Sequence, residues 1–246
     1  MSVAVPETLL HVDGVSKNFG GFAALSQVSI EVARGERFGL IGPNGSGKTT
    51  LINCISGALR NDGGSIRFAG EEISGLPAYQ RTRRGIARSF QIPRPFKSMS
   101  VVENLIVPLE FVAHRGSLHK ADTHAEAMHI LEGMGLADKA DTASSQLSQV
   151  ELRKMELARA MAARPKLLIS DEAMAGLSGN EVTEVLDILF KLNDTGITII
   201  MIEHIMQAVM RFSQRVICLD AGAIICQGTP ESIVQDPNVQ RAYLGV

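Results

Sequence analysis

Eight consecutive residues, Gly42-Pro43-Asn44-Gly45-Ser46-Gly47-Lys48-Thr49, have the composition of a cradle for phosphate. Phosphate oxygens need many donors and room for close approach. Gly42, Gly45 and Gly47 let the backbone curl so that successive N–H groups point inward. A helix beginning at the loop adds its positive N-terminal end. Lys48 can bridge the outer phosphates of a nucleotide, and the Thr49 hydroxyl can ligate Mg²⁺. The bland alternative is a glycine-rich turn that matches the pattern by chance.

Hydrolysis needs more than a cradle. It needs a second holder for Mg²⁺ and a group that orients water. Leu167-Leu168-Ile169-Ser170-Asp171-Glu172 supplies both, as a buried strand ending in two carboxylates. Asp171 would hold Mg²⁺, and Glu172 would polarise the attacking water. Two acids at an ordinary strand end would mean little in isolation; beside a phosphate loop they complete a site.

The elements that must position these residues are legible. Arg37 to Ile41 is an apolar strand that runs into the loop, and Thr49 to Ser56 reads as a helix closed by Gly57. Val28, Ile30 and Val32 alternate with polar residues as a half-buried strand. Gly63-Gly64-Ser65 leads into a short strand at Ile66 to Phe68. Gly75 to Ala163 reads as mostly helical, interrupted at Pro93-Arg94-Pro95. Leu167 to Ser170 and Ile197 to Ile202 are buried-strand runs. Between them Val182, Val185, Leu186 and Leu189 line one face of a helix. Strand, helix, strand predicts a parallel sheet. Val216 to Leu219 and Ile224 to Cys226 form a hairpin about Gly222, which brings Cys218 opposite Cys226. Thr229-Pro230-Glu231 starts a helix.

Bulk properties narrow the possibilities. The 246 residues carry a net charge of −2, which gives no global pull toward nucleic acid. No apolar run approaches the about 20 residues that span a bilayer. Met1 to Thr8 lacks the features of a signal peptide, so the chain is expected in the cytosol. Three cysteines at irregular spacing suggest packed thiols, not a disulfide framework.

The order of motifs resembles an ABC-type ATP-binding cassette over essentially the whole chain. The loop at 42–49 comes first, and Ser89-Phe90-Gln91 resembles the Q-loop. Leu147-Ser148-Gln149-Val150-Glu151 occupies the signature position. Asp171-Glu172 ends Walker B, Ala175-Gly176-Leu177-Ser178 is the D-loop, and His204 is the H-loop. Phe19 stands where the family stacks an aromatic on adenine. Gly85 to Gln91, Val209 to Gly228 and Ala242-Tyr243-Leu244-Gly245 resemble the ATPases of branched-chain amino-acid and urea-type importers.

The resemblance implies an α/β fold: a P-loop NTPase with a RecA-like core and antiparallel β subdomain, plus an inserted helical subdomain. The nucleotide-binding core would span about residues 1–90 and 163–229, the helical subdomain 91–162 and a helical tail 230–246. ATP and Mg²⁺ are the implied cofactors. Phe19, Gly42, Pro43, Asn44, Gly45, Ser46, Gly47, Lys48, Thr49 and Thr50 would bind the nucleotide. Thr49, Gln91 and Asp171 would serve the metal, and Glu172, His204 and Gln91 catalysis. Two cassettes would sandwich two ATPs, with Ser148 acting on the site of the second chain. Residues 92–112 would face an integral-membrane permease on the inner face of the membrane, served indirectly by a solute-binding protein.

The signature departs from the family's Leu-Ser-Gly-Gly-Gln. Gln149 and Val150 replace both glycines, and Glu151 brings a negative charge toward an anion, costing about 1 kcal/mol. A degraded signature beside an intact loop implies an asymmetric heterodimer whose working site uses this chain's loop. The alternative is a tolerated subfamily variant. Ser170 stands where the family prefers an apolar residue, Ala173 where proline is common, and Ser178 where many D-loops have Asp.

Other features are weaker. His114, His119, His124 and His129 recur every five residues, about 140° apart on a helix, which does not build a metal site. Arg81, Arg83, Arg84, Arg88 and Arg94 form a basic cluster, read as a solvated face or a permease or lipid contact. A soluble assembly ATPase of the iron–sulfur scaffold type is the competing function. DNA-repair cassettes carry coiled-coil inserts and translation-type proteins two cassettes, neither of which is present. A GTPase would carry Asn-Lys-x-Asp.

Overall fold

A computed structural model describes residues 7–90, 93–114 and 120–244. β1 (Thr8–Phe19) and β2 (Phe22–Ala33) form a hairpin. β3 (Arg37–Ile41) and α1 (Lys48–Ser56) follow, then β4 (Gly63–Phe68), β5 (Glu71–Glu72), α2 (Ala78–Arg84) and β6 (Ile86–Ser89). Three helices come next: α3 (Val101–Pro108), extended by a π-helical turn at Leu109–His114, then α4 (Lys120–Gly133) and α5 (Gln149–Met161). Strands and helices then alternate as β7 (Leu167–Asp171), α6 (Gly179–Asp194), β8 (Thr198–Ile202), α7 (Met206–Phe212), β9 (Arg215–Asp220) and β10 (Ala223–Gly228). α8 (Pro230–Gln235) and α9 (Pro237–Leu244) close the chain.

One sheet is antiparallel with order β2-β1-β4-β5. The other has order β10-β9-β3-β8-β7-β6, parallel except for the edge strand β10. β7 and β8 are buried at every position, as strands covered on both faces must be. Their side chains divide by the period of two. Leu168, Ile199 and Met201 join the core built with α3 to α7. Leu167, Ile169, Ile200 and Ile202 join the core shared with α1 and the antiparallel sheet.

α1 lies between the two sheets. Leu51, Ile52 and Ile55 are fully buried there, each contributing about 1.5–3 kcal/mol. Its last carbonyls are capped by Arg81, which is only 1% exposed. Arg81 Nη1 donates to Cys54 O and Ile55 O at 2.6 and 3.0 Å. Its other nitrogens reach Leu76 O and Ser74 O. The basic cluster is therefore not one solvated face. Arg81 is structural, Arg84 pairs with Glu71, and Arg88 points into the candidate site.

Three strands break the sequence expectation, β1, β6 and the two-residue β5. β1 was not expected because Gly14, at φ 58, interrupts its alternation, and the register shifts between Val12 and Lys17. β6 falls in a segment read as mostly helical. It is four residues long and sits between a helix rich in arginine and a loop, so it carries no period of its own. The hairpin about Gly222 does form, with Cys218 opposite Cys226. His119 lies outside the described residues.

Candidate functional site

Parallel pairing puts the carboxyl ends of β3, β8, β7 and β6 side by side, at the edge where open α/β sheets bind ligands. β3 delivers the loop at 42–49, β7 delivers Asp171 and Glu172, β8 delivers Glu203 and His204, and β6 delivers Ser89 and Phe90. Motifs more than a hundred residues apart thus meet along one edge. Gln91, the Q-loop residue, lies outside the described residues.

The loop has the backbone its glycines permit. Gly42, Gly45 and Gly47 sit at φ 147, 80 and 104. A Cβ on Gly42 would lie 2.2 Å from Leu219 O, whereas one on Gly45 would meet nothing within 4 Å. Gly45 therefore faces open space, as a cradle wall must. The hairpin tip secures the loop from behind: Gly222 N–H donates to Ser46 O at 3.0 Å, and Ser26 N–H donates to Gly222 O at 2.9 Å.

Lys48 folds back over the loop and donates to Gly42 O and Pro43 O at 2.7 and 3.0 Å. Burial pushes its ammonium below the usual lysine range, against the pull of Glu172 and Asp171. The N-cap of α1 is Gly47, with no side chain capping it and no acid in the first turn. Its N–H groups are left for a ligand. The Ser46 hydroxyl is buried without a partner among the described residues. An uncapped helix end, an orphaned hydroxyl and an ammonium parked on carbonyls fit a bound phosphate chain.

A 290 Å³ cleft opens on the loop, lined by Phe19, Phe22, Asn44, Gly45, Ser46, Gly47, Lys48, Thr49, Thr50 and Glu172. Phe19 is 49% exposed, with Lys17 Nζ 5.6 Å from its ring centre. Phe22, 63% exposed, is a second aromatic at this cleft that sequence reasoning missed. Its signal was there: Phe19-Gly20-Gly21-Phe22 sets an aromatic on each side of a tight turn.

Glu172 occupies a left-handed conformation at φ 47, which costs a non-glycine residue about 1–3 kcal/mol and clusters at functional sites. Its Oε1 lies 2.8 Å from His204 Nε2. Carboxylate and imidazole thus form a pair beside Lys48 and Thr49. Behind them Glu203, 1% exposed, accepts from Met174 N–H at 2.9 Å. Burial pushes the Glu203 carboxyl up to about 7, and the charge of Glu172 adds to this.

Asp171 is held by Arg88, whose Nη2 donates to Oδ2 at 2.5 Å while Nη1 donates to Asn53 Oδ1 at 2.6 Å. Arg88 also stacks over Phe90 at 5.3 Å. Sequence reading placed Arg88 in a basic cluster and missed this contact. Its neighbours Ser89 and Ser170 pair in register, both with hydroxyls unpartnered among the described residues. Asp171 is thus a nearly buried carboxylate at the end of β7, an oxygen ligand of the kind Mg²⁺ takes, with Arg88 as its counter-charge in this structure, while Ser89 and Ser170 lie on the other face of the sheet.

Ser148 does not line the cleft; it N-caps α5. Glu151 N–H donates to Ser148 Oγ at 3.4 Å, and Ser148 N–H donates to Glu151 Oε2 at 2.8 Å, a reciprocal capping box. Hydrogen bonds to the carboxyl from the Ser148 backbone and side chain hold Glu151 below its usual range. Ser178 likewise starts α6, donating its N–H and hydroxyl to Glu181.

A second cavity of 450 Å³ lies between the sheet and the helices, with Phe90, Phe96, Val107, Phe111, Glu156 and Arg159 in its wall. It is away from the phosphate loop. Phe111, in the π-helical turn, is 68% exposed.

Comparison with known proteins adds to the geometry. The family model described as "ABC transporter" matches residues 25–175. A second, described as "Branched-chain amino acid ATP-binding cassette transporter", matches 223–246. The chain is 38% identical to the high-affinity branched-chain amino acid transport ATP-binding protein BraF of Pseudomonas aeruginosa, over 96% of this chain and 98% of BraF. It is also 38% identical to LivG of Escherichia coli, similarly described, over 97% and 98%. Among solved structures it resembles the ADP conformation of MJ1267, an ATP-binding cassette of an ABC transporter. That likeness has a TM-score of 0.87 and 30% identity over 97% of this chain and 99% of that one.

Proposed function

From the premise that this chain belongs to the ABC transporter family, as an ATPase that couples hydrolysis to transport, we propose that it energises an importer of branched-chain amino acids or a related small polar solute. The observation that carries the catalytic part is the Glu172–His204 pair, 2.8 Å apart, beside the loop that presents Lys48 and Thr49. The solute class is supported by BraF and LivG and by the tail motif at 223–246.

In this reading Phe19 stacks on adenine and the N–H groups from Asn44 to Thr50 hold the phosphates. Lys48 leaves Gly42 O and Pro43 O to reach the β- and γ-phosphates. Thr49 and Asp171, with Gln91, would hold Mg²⁺, which neutralises phosphate charge. Glu172 takes the proton of the attacking water, and His204 fixes the Glu172 carboxylate and faces the γ-phosphate.

The second half of the site would come from another cassette subunit, docked head to tail. Ser148 would in turn reach the partner's nucleotide. Its N–H already satisfies Glu151, so an anion there must compete with a resident carboxylate. This supports a heterodimer in which the site using this chain's loop turns over and the site using its signature is poor. The cavity walled by Phe96 and Phe111 would seat a permease loop, bringing the chain to the inner face of the membrane. No helix among the described residues is long and apolar enough to cross the membrane itself.

The test is Glu172→Gln in the intact complex reconstituted in liposomes. ATP-dependent leucine uptake and hydrolysis should fall at least about 100-fold, with nucleotide binding kept. Retained uptake would overturn the catalytic reading, and recovery only with soluble proteins would favour the assembly ATPase. Making the equivalent change in the partner subunit addresses asymmetry, which equal loss from both changes would sink.

A further inference from the structure

The first residue of the phosphate loop is held on both of its peptides. Gly42 C=O accepts from Lys48 Nζ at 2.7 Å. Gly42 N–H donates to Tyr243 Oη at 2.8 Å, a partner 201 positions away in sequence. The pairing of β3 with β9 ends at Ile41 opposite Cys218, so this N–H lies just past the end of the ladder. Close packing holds Gly42 in this orientation. Gly42 sits at φ 147 against Leu219 O, packed so closely that a Cβ would overlap it.

The tail that carries Tyr243 has a fixed seat. Ile233 of α8 and Val239 of α9 share a cluster with Ile41, Val209, Val216 and Cys218, so the tail packs on the strand that enters the loop. Asp236 accepts from the N–H groups of Asn238 and Val239, and from Cys226 Sγ at 3.2 Å. α9 then brings Tyr243 over Gly42. Core packing does not account for a tyrosine here, because the residue is 39% exposed. The atom that is used is its oxygen. Partial burial raises the phenol above its usual range.

We infer that Tyr243 is a positioning residue of the nucleotide site, holding Gly42 in the conformation that receives phosphate. The inference rests on the reading that the loop binds nucleotide. When Lys48 turns toward phosphate, Gly42 C=O loses its donor, and of these two hydrogen bonds on Gly42 the one to Tyr243 remains. Without the phenol oxygen, the empty loop gains by relaxing to expose Gly42 N–H to water. Nucleotide must then rebuild the cradle, and apparent affinity falls with the competent fraction.

Direct binding of MgADP to the full-length chain, by titration calorimetry, tests this. Tyr243→Phe keeps the ring and removes the oxygen. Its Kd should rise about fivefold, the value of one ordinary hydrogen bond. Exchange of the Gly42 amide should also speed up. Val239→Ala is the structural control: it loosens the tail's packing and lowers Tm, but should leave Kd within about twofold of wild type. Wild-type affinity in Tyr243→Phe would overturn the inference, as would an equal rise in Kd in both variants. Failure of the wild-type chain to bind MgADP would instead remove the nucleotide reading, and this inference with it.

Discussion

Replacing Arg88 with Met keeps an unbranched side chain of similar length and removes only the charged head. That head makes two short hydrogen bonds, to Asp171 at 2.5 Å and Asn53 at 2.6 Å. The two side chains of the ion pair are only 12% and 8% exposed. An exposed pair of this kind would contribute about 0–1 kcal/mol. Buried, the loss of one partner strands a carboxylate without its counter-charge, which costs about 3–5 kcal/mol. With a urea slope of about 3 kcal/mol/M, the midpoint of unfolding should fall by about 1–1.7 M. The double variant Arg88→Met/Asp171→Asn should recover most of this, because no charge is then left buried alone. Urea melts of wild type, both single variants and the double close the cycle. A single-variant loss below about 1 kcal/mol, or a double variant no better than Arg88→Met, would refute the reasoning that Arg88 holds Asp171 in place.

Two further perturbations have signs that follow from the structure. Glu203 titrates near 7 when folded, against 4.5 for the ordinary carboxyl. Its contribution to stability is therefore whole below about pH 4.5 and lost as pH rises toward 7. Glu203→Gln keeps an oxygen for Met174 N–H, so wild type should lose about 1–3 kcal/mol more than the variant between about pH 5 and pH 8; parallel profiles in urea melts would contradict this. Arg81→Leu removes the donor from the carbonyls of Cys54, Ile55, Leu76 and Ser74, and should cost about 3 kcal/mol. Calorimetric melting checks it, and an unchanged Tm would mean that water replaces the guanidinium.

Local chemistry made part of the molecule legible from residue types alone. Gly42, Gly45 and Gly47 are required by positive φ wherever the loop sits, and a buried strand before it and a helix after it carry their own periods. The mostly apolar runs of β7 and β8 announced strands covered on both faces, with Asp171 and Glu172 at the end of one of them. Glu151 was legible only as a charge in the signature; its capping of Ser148 needed nothing beyond the spacing of three and was still read as repulsion.

What remained hidden depends on which strands neighbour which. The alternation of strand and helix predicts a parallel sheet but not the order β10-β9-β3-β8-β7-β6. Arg88 becomes the counter-charge of Asp171 only because β6 pairs with β7, with Arg88 opposite Ile169. Tyr243 reaches Gly42 only because α9 folds back over the end of β3. The loop, its carboxylates and the strand-helix grammar are legible in residue types and spacing, because backbone sterics and side-chain period act within a few residues. Tertiary structure alone decided the partners of Asp171, Gly42 and Glu203, because a buried charge or amide is satisfied by whatever the packed neighbour offers, and that neighbour can lie 201 positions away.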